Sequence, residues 1–270
     1  MKHQSDILAL KYRPKDFSDL IGQEYLVDTI QKSIQLNKIP NAYIFTGIRG
    51  VGKTTTARIV AKMLNCTAFD NSNKPDLLNC EQAKAITEDR HPDVIEIDAA
   101  SNTSVENARE IIENVKYNPV LGKYKVYIID EVHMLSKSAF NALLKTLEEP
   151  PPHSKFIFAT TEISKVPITI LSRCQRFDLR RIDKKVLSLF LETIANKENI
   201  LIEKEALNLI VKSSDGSVRD ALSILDQANV FKLEETIKTE EIINMLGYSK
   251  LSDLYNLSKN ILENNLNDLI

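Results

Sequence analysis

Two groups of residues in this chain have types and spacing that could do chemistry. The first is Gly47-Ile48-Arg49-Gly50-Val51-Gly52-Lys53-Thr54, followed by Thr55. Its spacing, G-x-x-x-x-G-K-[ST], is that of the Walker A phosphate loop. Three glycines let the backbone curl until successive N–H groups point inward at a phosphate. The following helix adds the partial positive charge of its N-terminus, and Lys53 adds a full one. Thr54 offers a hydroxyl to a magnesium ion bridging the β- and γ-phosphates. The chemistry expected is the binding of a nucleoside triphosphate such as ATP with Mg2+.

The second group is Asp130-Glu131, closing the apolar run Val126-Tyr127-Ile128-Ile129. An apolar strand ending in two carboxylates is the Walker B pattern, and ligands of open α/β sheets sit at the carboxyl ends of strands. Asp130 is expected to hold the magnesium and Glu131 to orient and polarise the attacking water. Adjacent residues of an extended strand point to opposite sides, so one carboxylate per role is the expected geometry. Thr160-Thr161 ends the next apolar run, which puts a hydroxyl near this pair. Asp130-Glu131-Val132-His133 also spells a DExH box, but such a helicase needs a second motor domain, and the residues after His133 read as helices.

These groups need elements to position them. Ala42 to Phe45, Val94 to Ile97, Val126 to Ile129 and Phe156 to Ala159 read as short buried strands. Helical spacing falls between them: Glu24 to Leu36, the P-loop helix from Thr55 to Leu64, Leu78 to Glu88, Val105 to Val115 and Ser138 to Glu149. Pro150-Pro151-Pro152 stops the last of these. Strands alternating with helices indicate a parallel sheet covered on both faces, an α/β fold. From Arg181 onward the pattern is helical: Lys184 to Glu198, Lys204 to Ser213, Val218 to Asn229, Thr239 to Leu246 and Leu251 onward, with a turn at Ser214-Asp215-Gly216.

Composition fits an intracellular globular protein. Of 270 residues, 43% are hydrophobic and 27% charged, and the net charge is −2, so any nucleic-acid contact must be local or shared among subunits. Three scattered cysteines form no disulfide framework, no apolar stretch has membrane-spanning length, and the first residues lack a signal-peptide core. A cytoplasmic protein is expected.

Further along, Ser172-Arg173-Cys174 is similar to the S-R-C motif of clamp-loader AAA+ ATPases. Tyr12-Arg13-Pro14, Gly22-Gln23-Glu24, the stretch from Asp130 to Pro151 and Gly216-Ser217-Val218-Arg219-Asp220-Ala221-Leu222 extend the likeness nearly end to end. The chain resembles the gamma/tau subunits of bacterial DNA polymerase III. The resemblance implies an AAA+ ATPase domain over residues 1–180, an all-helical lid over 181–243 and the start of a helical collar over 244–270, cut short at Ile270. It implies Thr161 at the sensor-1 position, Arg173 as an arginine finger acting in trans, Arg219 as the sensor-2 arginine, and Tyr12, Arg13 and Ile21 beside the adenine and ribose. The function implied is ATP-driven loading of a sliding clamp onto primed DNA, in a ring with delta and delta-prime subunits, near the nucleoid and away from membranes. No polymerase site of its own is expected. The rival readings are a Holliday-junction branch-migration ATPase and a catalytically silent structural subunit of the delta-prime kind.

In one respect the chain departs from that family, which carries a four-cysteine zinc site after the P-loop helix. Cys66 and Cys80 match its first and last ligands, but Lys74 and Leu77 stand where the middle two belong. Two thiolates do not make a tetrahedral zinc site. Asp70, Asp76 or His91 could help, yet zinc is not expected.

Overall fold

The computed structural model describes residues 7–68, 75–101, 105–232 and 235–248, with the side chains of residues 105–108 excepted. The chain opens with one helical turn, α1 (Leu8–Lys11), and continues through α2 (Glu24–Gln35), β1 (Ala42–Thr46) and α3 (Lys53–Asn65). Then come α4 (Glu81–Thr87), β2 (Val94–Asp98), α5 (Val105–Val115), β3 (Lys125–Asp130) and α6 (Lys137–Glu148). The sheet is completed by β4 (Ser154–Thr160), α7 (Ile168–Leu171) and β5 (Gln175–Asp178).

The five strands pair in parallel in the order β2-β3-β4-β1-β5. The apolar runs of β1, β3 and β4 are continuous because both of their faces are covered. Tyr43, Phe45, Val126, Ile128 and Ile157 pack with Ile30 of α2 and with Ala57, Val60 and Leu64 of α3. The alternate residues, Ile44, Tyr127, Ile129, Phe156 and Phe158, pack with Ile111 of α5 and with Phe140, Leu143 and Leu147 of α6. Because β1 lies between β4 and β5, the chain leaving it must cross to the far edge to form β2. The strand order thus reverses beside β1, and it is at the carboxyl ends of the strands by such a switch that sheets of this kind hold ligands.

Local chemistry sets the element ends. Ser136 caps α6, its hydroxyl accepting from Ala139 N, and the prolines follow its last turn. The helix expected from Leu78 begins only at Glu81, because Asp76 holds a turn first, accepting from Asn79 N at 3.2 Å and Asn79 Nδ2 at 2.7 Å. Strand β5 has no counterpart in the sequence pattern: only Phe177 of its four residues is buried.

A second compact unit comprises α1 together with the residues from Asp183 onward. It contains α8 (Lys184–Lys197), β6 (Leu201–Ile202), α9 (Lys204–Ser213), α10 (Val218–Phe231), β7 (Thr236–Ile237) and α11 (Thr239–Leu246). Leu187, Leu191, Ile210, Leu225 and Ile242 are buried in it. Its helices are accompanied by one short parallel pair, β6 with β7, which the apolar pattern does not signal. Lys11 ties α1 to Glu198 at the end of α8 by an ion pair of 2.7 Å. Of the expected collar, residues 249–270 lie outside the described residues.

Candidate functional site

The turn from β1 into α3 is built for close approach. Gly47, with φ +149°, passes the neighbouring strand exit so tightly that a Cβ would lie 2.7 Å from Leu179 O. Gly52 (φ +101°) adopts a left-handed conformation to start α3, a region that side chains disfavour. Lys53 is 6% exposed, and its Nζ donates to Gly47 O at 3.1 Å and Ile48 O at 2.9 Å. Burial lowers its pKa, while Glu131 and Asp130 oppose that shift. The ammonium is therefore folded into the loop and faces the carboxylates.

Thr54 and Asp130 meet, the Thr54 hydroxyl donating to Asp130 Oδ2 at 2.5 Å. This brings two hard oxygen donors, one from a helix start and one from a strand end, to one point, a set that suits Mg2+. Asp130 Oδ1 accepts from Glu131 N at 2.9 Å. Glu131 itself is not in the strand. It takes a left-handed conformation (φ 45°, ψ 45°) at the start of the 3-10 turn Val132–Met134. The expected alternation of two strand carboxylates is thus corrected: backbone reversal after Asp130, and not the strand pleat, separates the two groups. Reversal carries the Glu131 carboxylate to the end of β4, where Oε2 accepts from Thr161 N at 3.1 Å and Thr161 Oγ1 at 2.9 Å.

The segment preceding α2 lies along α3. Arg13 Nε donates to Thr55 Oγ1 at 3.2 Å, Lys62 Nζ to Lys15 O at 3.4 Å, and Leu20 packs at Gly52. Tyr12, Arg13 and Ile21 are all half-buried, while Arg49 at the loop tip is exposed. Gln23, which the sequence offers only as part of a motif, is buried and clasps Arg180 through Arg180 O (2.8 Å) and Arg180 N (3.2 Å).

The two arginines singled out by resemblance have other surroundings. Arg173 is exposed and pairs with Glu148, at the end of α6, at 2.5 Å, with a second bond to Thr169 O. That partner was not legible in the sequence. Arg219 is exposed in the first turn of α10, in the other compact unit.

Cys66 and Cys80 are both buried, at the end of α3 and the cap of α4. Cys66 Sγ donates to Ala68 O at 3.0 Å, and burial pushes its thiol up to about 12. Burial acts on Cys80 too, but hydrogen bonds from the Ala83 and Thr67 backbone outweigh it and bring that thiol down to about 7. Leu77 is packed in the core, the Asp76 carboxylate is taken by Asn79, and His91 Nδ1 accepts from Asp93 N at 3.0 Å. Lys74 and Asp70 lie outside the described residues. Among the described residues no three His, Cys, Asp or Glu side chains group to hold a metal, and no helix is long and apolar enough to cross a membrane.

With that geometry in hand, comparison with known proteins is informative. A family model described as DNA polymerase III, delta subunit, matches residues 22–183, and one described as DNA polymerase III clamp loader subunit, ATPase lid domain, matches residues 187–231. The chain is 47% identical over 251 residues to DNA polymerase III subunit tau/gamma of Haemophilus influenzae, covering 93% of this chain and 36% of that protein. It is 45% identical over 262 residues to subunit tau of Bacillus subtilis, covering 96% and 46%. Against subunit gamma of Buchnera aphidicola subsp. Schizaphis graminum it is 45% identical over 257 residues, covering 95% and 70%. The chain therefore spans less than half the length of the first two relatives and 70% of the third. Among solved structures, the RuvB Holliday junction branch migration motor of Thermotoga maritima matches with TM-score 0.63 at 18% identity, covering 87% of this chain and 72% of that one. At that identity the likeness establishes a shared fold alone.

Proposed function

The chain belongs to the tau/gamma family of DNA polymerase III clamp-loader subunits, and on that premise we propose that it binds and hydrolyses ATP as the motor of a clamp loader. The observation that carries this reading is the meeting of Lys53, Thr54, Asp130, Glu131 and Thr161 at the carboxyl ends of β1, β3 and β4. Backbone N–H groups from Gly47 to Thr55 cradle the phosphates, and Lys53 leaves the loop carbonyls for them. Tyr12, Arg13 and Ile21 flank the base and ribose. Thr54 and Asp130 would hold a magnesium ion, which would supply positive charge toward the β- and γ-phosphates. Glu131 polarises the attacking water, and Thr161 steadies the carboxylate.

Arg173 completes the site of a neighbouring subunit. A permanent planar charge on an exposed helix end can exchange Glu148 for a phosphoryl oxygen. The helical unit from Asp183 serves as the lid, and Arg219 in it is the sensor-2 arginine that the resemblance implies. Delta and delta-prime subunits complete the ring, the sliding clamp and primed DNA are what it acts on, and the setting is the cytoplasm. Against the silent-subunit reading stands the full set of Lys53, Thr54, Asp130 and Glu131.

Turnover of ATP by the chain alone and with delta, delta-prime, clamp and primed DNA tests this. The assembly should be far faster than the isolated chain. Arg173→Ala in the assembly should keep ATP binding and lose on the order of 10³-fold or more in rate. An isolated chain as fast as the assembly, indifferent to Arg173→Ala, would overturn the trans role.

A further inference from the structure

His133 is the one polar member of the Asp130-Glu131-Val132-His133 run that has no task in the reading above, and its placement is specific. Its side chain is only 6% exposed, between the ends of β3 and β4. Nδ1 lies 2.9 Å from Thr160 Oγ1 and 3.4 Å from Glu131 Oε2, and Nε2 lies 3.4 Å from Glu162 Oε1. Glu162 is in turn paired with Lys165 at 2.8 Å. We propose that His133 is a positioning residue for hydrolysis, whose Nδ1 contact with Thr160 fixes the turn that aims the Glu131 carboxylate. This rests on the reading of Glu131 as the water-polarising carboxylate.

Thr160 Oγ1 accepts from Glu162 N at 3.0 Å and keeps its own O–H and a second lone pair, so it can bond Nδ1 in either tautomer of the ring. Nδ1 stands 3.4 Å from Glu131 Oε2, longer than a good hydrogen bond, and that oxygen is taken by the main-chain N–H and the hydroxyl of Thr161. The ring is thus tied to the end of β4 beside the carboxylate without taking over its hydrogen bonds. A left-handed glutamate is strained, and its conformation persists only while its surroundings hold it. Removing the ring frees both the Thr160 hydroxyl and the turn Val132–Met134, so the carboxylate loses its aim while Lys53, Thr54 and Asp130 remain in place.

Three variants of the full chain, assayed for ATP binding, for kcat and KM in the assembly with its partner subunits, and for Tm, separate the possibilities. Asparagine places a polar atom where Nδ1 stood, and glutamine places one where Nε2 stood. His133→Ala and His133→Gln should lower kcat by roughly tenfold to a hundredfold with KM and ATP affinity unchanged, the range expected for misplacing a reacting group. His133→Asn should recover most of the rate. The proposal is overturned if His133→Ala turns over as the wild type does, if Gln rescues as well as Asn, if Asn fails to rescue, or if all three lose binding and Tm together. The Glu131→Gln variant separates the two readings. If it hydrolyses ATP normally, the assignment of Glu131 is wrong and His133 falls with it; if Glu131→Gln is inactive and His133→Ala is not, only the present proposal fails.

Discussion

Asp93 and Asp130 stand at opposite ends of the neighbouring strands β2 and β3, and they are held in opposite ways. Asp93, immediately before β2, is fully buried, and its carboxylate accepts from Val120 N, Leu121 N and Gly122 N at 2.7 Å each. Asp130, at the end of β3, accepts from the Thr54 hydroxyl and from Glu131 N, and Glu131 accepts from Thr161. Main-chain donors fixed by a loop cannot turn to another partner. Hydroxyl side chains on a helix start and a strand exit can rotate and trade one partner for a metal or a phosphate. The difference teaches that a carboxylate saturated by backbone is architecture, whereas one held partly by hydroxyl side chains that can let go is available for chemistry.

Damage at the two ends should therefore read out differently, and the largest effect belongs to the carboxyl end. Glu131→Gln should lower turnover in the assembly by about 10²–10⁴-fold, the usual worth of a positioned acid–base group, with Tm and ATP binding nearly unchanged. Lys53→Ala should lose ATP binding itself, since it removes the full positive charge buried in the loop. A Glu131→Gln protein that unfolds early would make Glu131 a structural residue like Asp93 and erase the contrast.

At the opposite end, Asp93→Ala should leave three backbone N–H groups without an acceptor. At roughly 1–3 kcal/mol for each group left unsatisfied, the loss is about 3 kcal/mol or more, partly relieved by water. Chemical denaturation measures it. Protein that remains folded should bind ATP with wild-type affinity, and a large loss of affinity at unchanged stability would couple the two ends. A smaller effect is expected at Gly122, in the same loop. A Cβ there would lie 2.9 Å from the Asn65 side chain, which is buried and locked to Tyr124 N (2.8 Å) and Tyr124 O (2.9 Å). Gly122→Ala should cost roughly 1–3 kcal/mol through overpacking, with turnover unaltered.

The same contrast explains what could be read from the sequence. The Gly47 to Thr54 turn and the Asp130-Glu131 pair, which the structure brings together, stood out in the sequence because the chemistry proposed for them demands fixed residue types at fixed spacing. Strands β1, β3 and β4 were legible because burial on both faces leaves an unbroken apolar run, whereas β2, at the sheet edge and partly exposed, was legible from Val94, Ile95 and Ile97 alone. Strand β5 was not: Gln175, Arg176 and Asp178 are exposed on the sheet edge, so only backbone pairing with β1 marks it. The turn at Glu131 was read as strand because nothing in an Asp-Glu pair announces a left-handed backbone. Asp93 was passed over altogether, since its partners are N–H groups some thirty residues away that carry no sequence signature. The pairing of Arg173 with Glu148 was hidden for the same reason, being a contact made only by folding.

The smallest effect is the most direct measure of how Asp93 is held. Burial raises its pKa, but the hydrogen bonds from Gly122, Val120 and Leu121 outweigh that, and its carboxyl sits below the ordinary value. A group whose folded pKa is depressed contributes stability above its unfolded pKa, about 3.9 for aspartate, and loses that contribution as pH falls toward the folded value. Asp93→Asn keeps the shape but offers one uncharged acceptor oxygen to three donors, and it cannot titrate. The unfolding free energies of wild type and Asp93→Asn should thus differ by a constant amount above about pH 5 and converge as the pH drops below about 4, because groups common to both proteins cancel in the difference. A gap that widened on acidification would mean that the wild-type carboxyl is protonated more readily when folded than when unfolded. The three backbone donors would then not be holding a charge, and Asp93 would no longer stand as the architectural counterpart of Asp130.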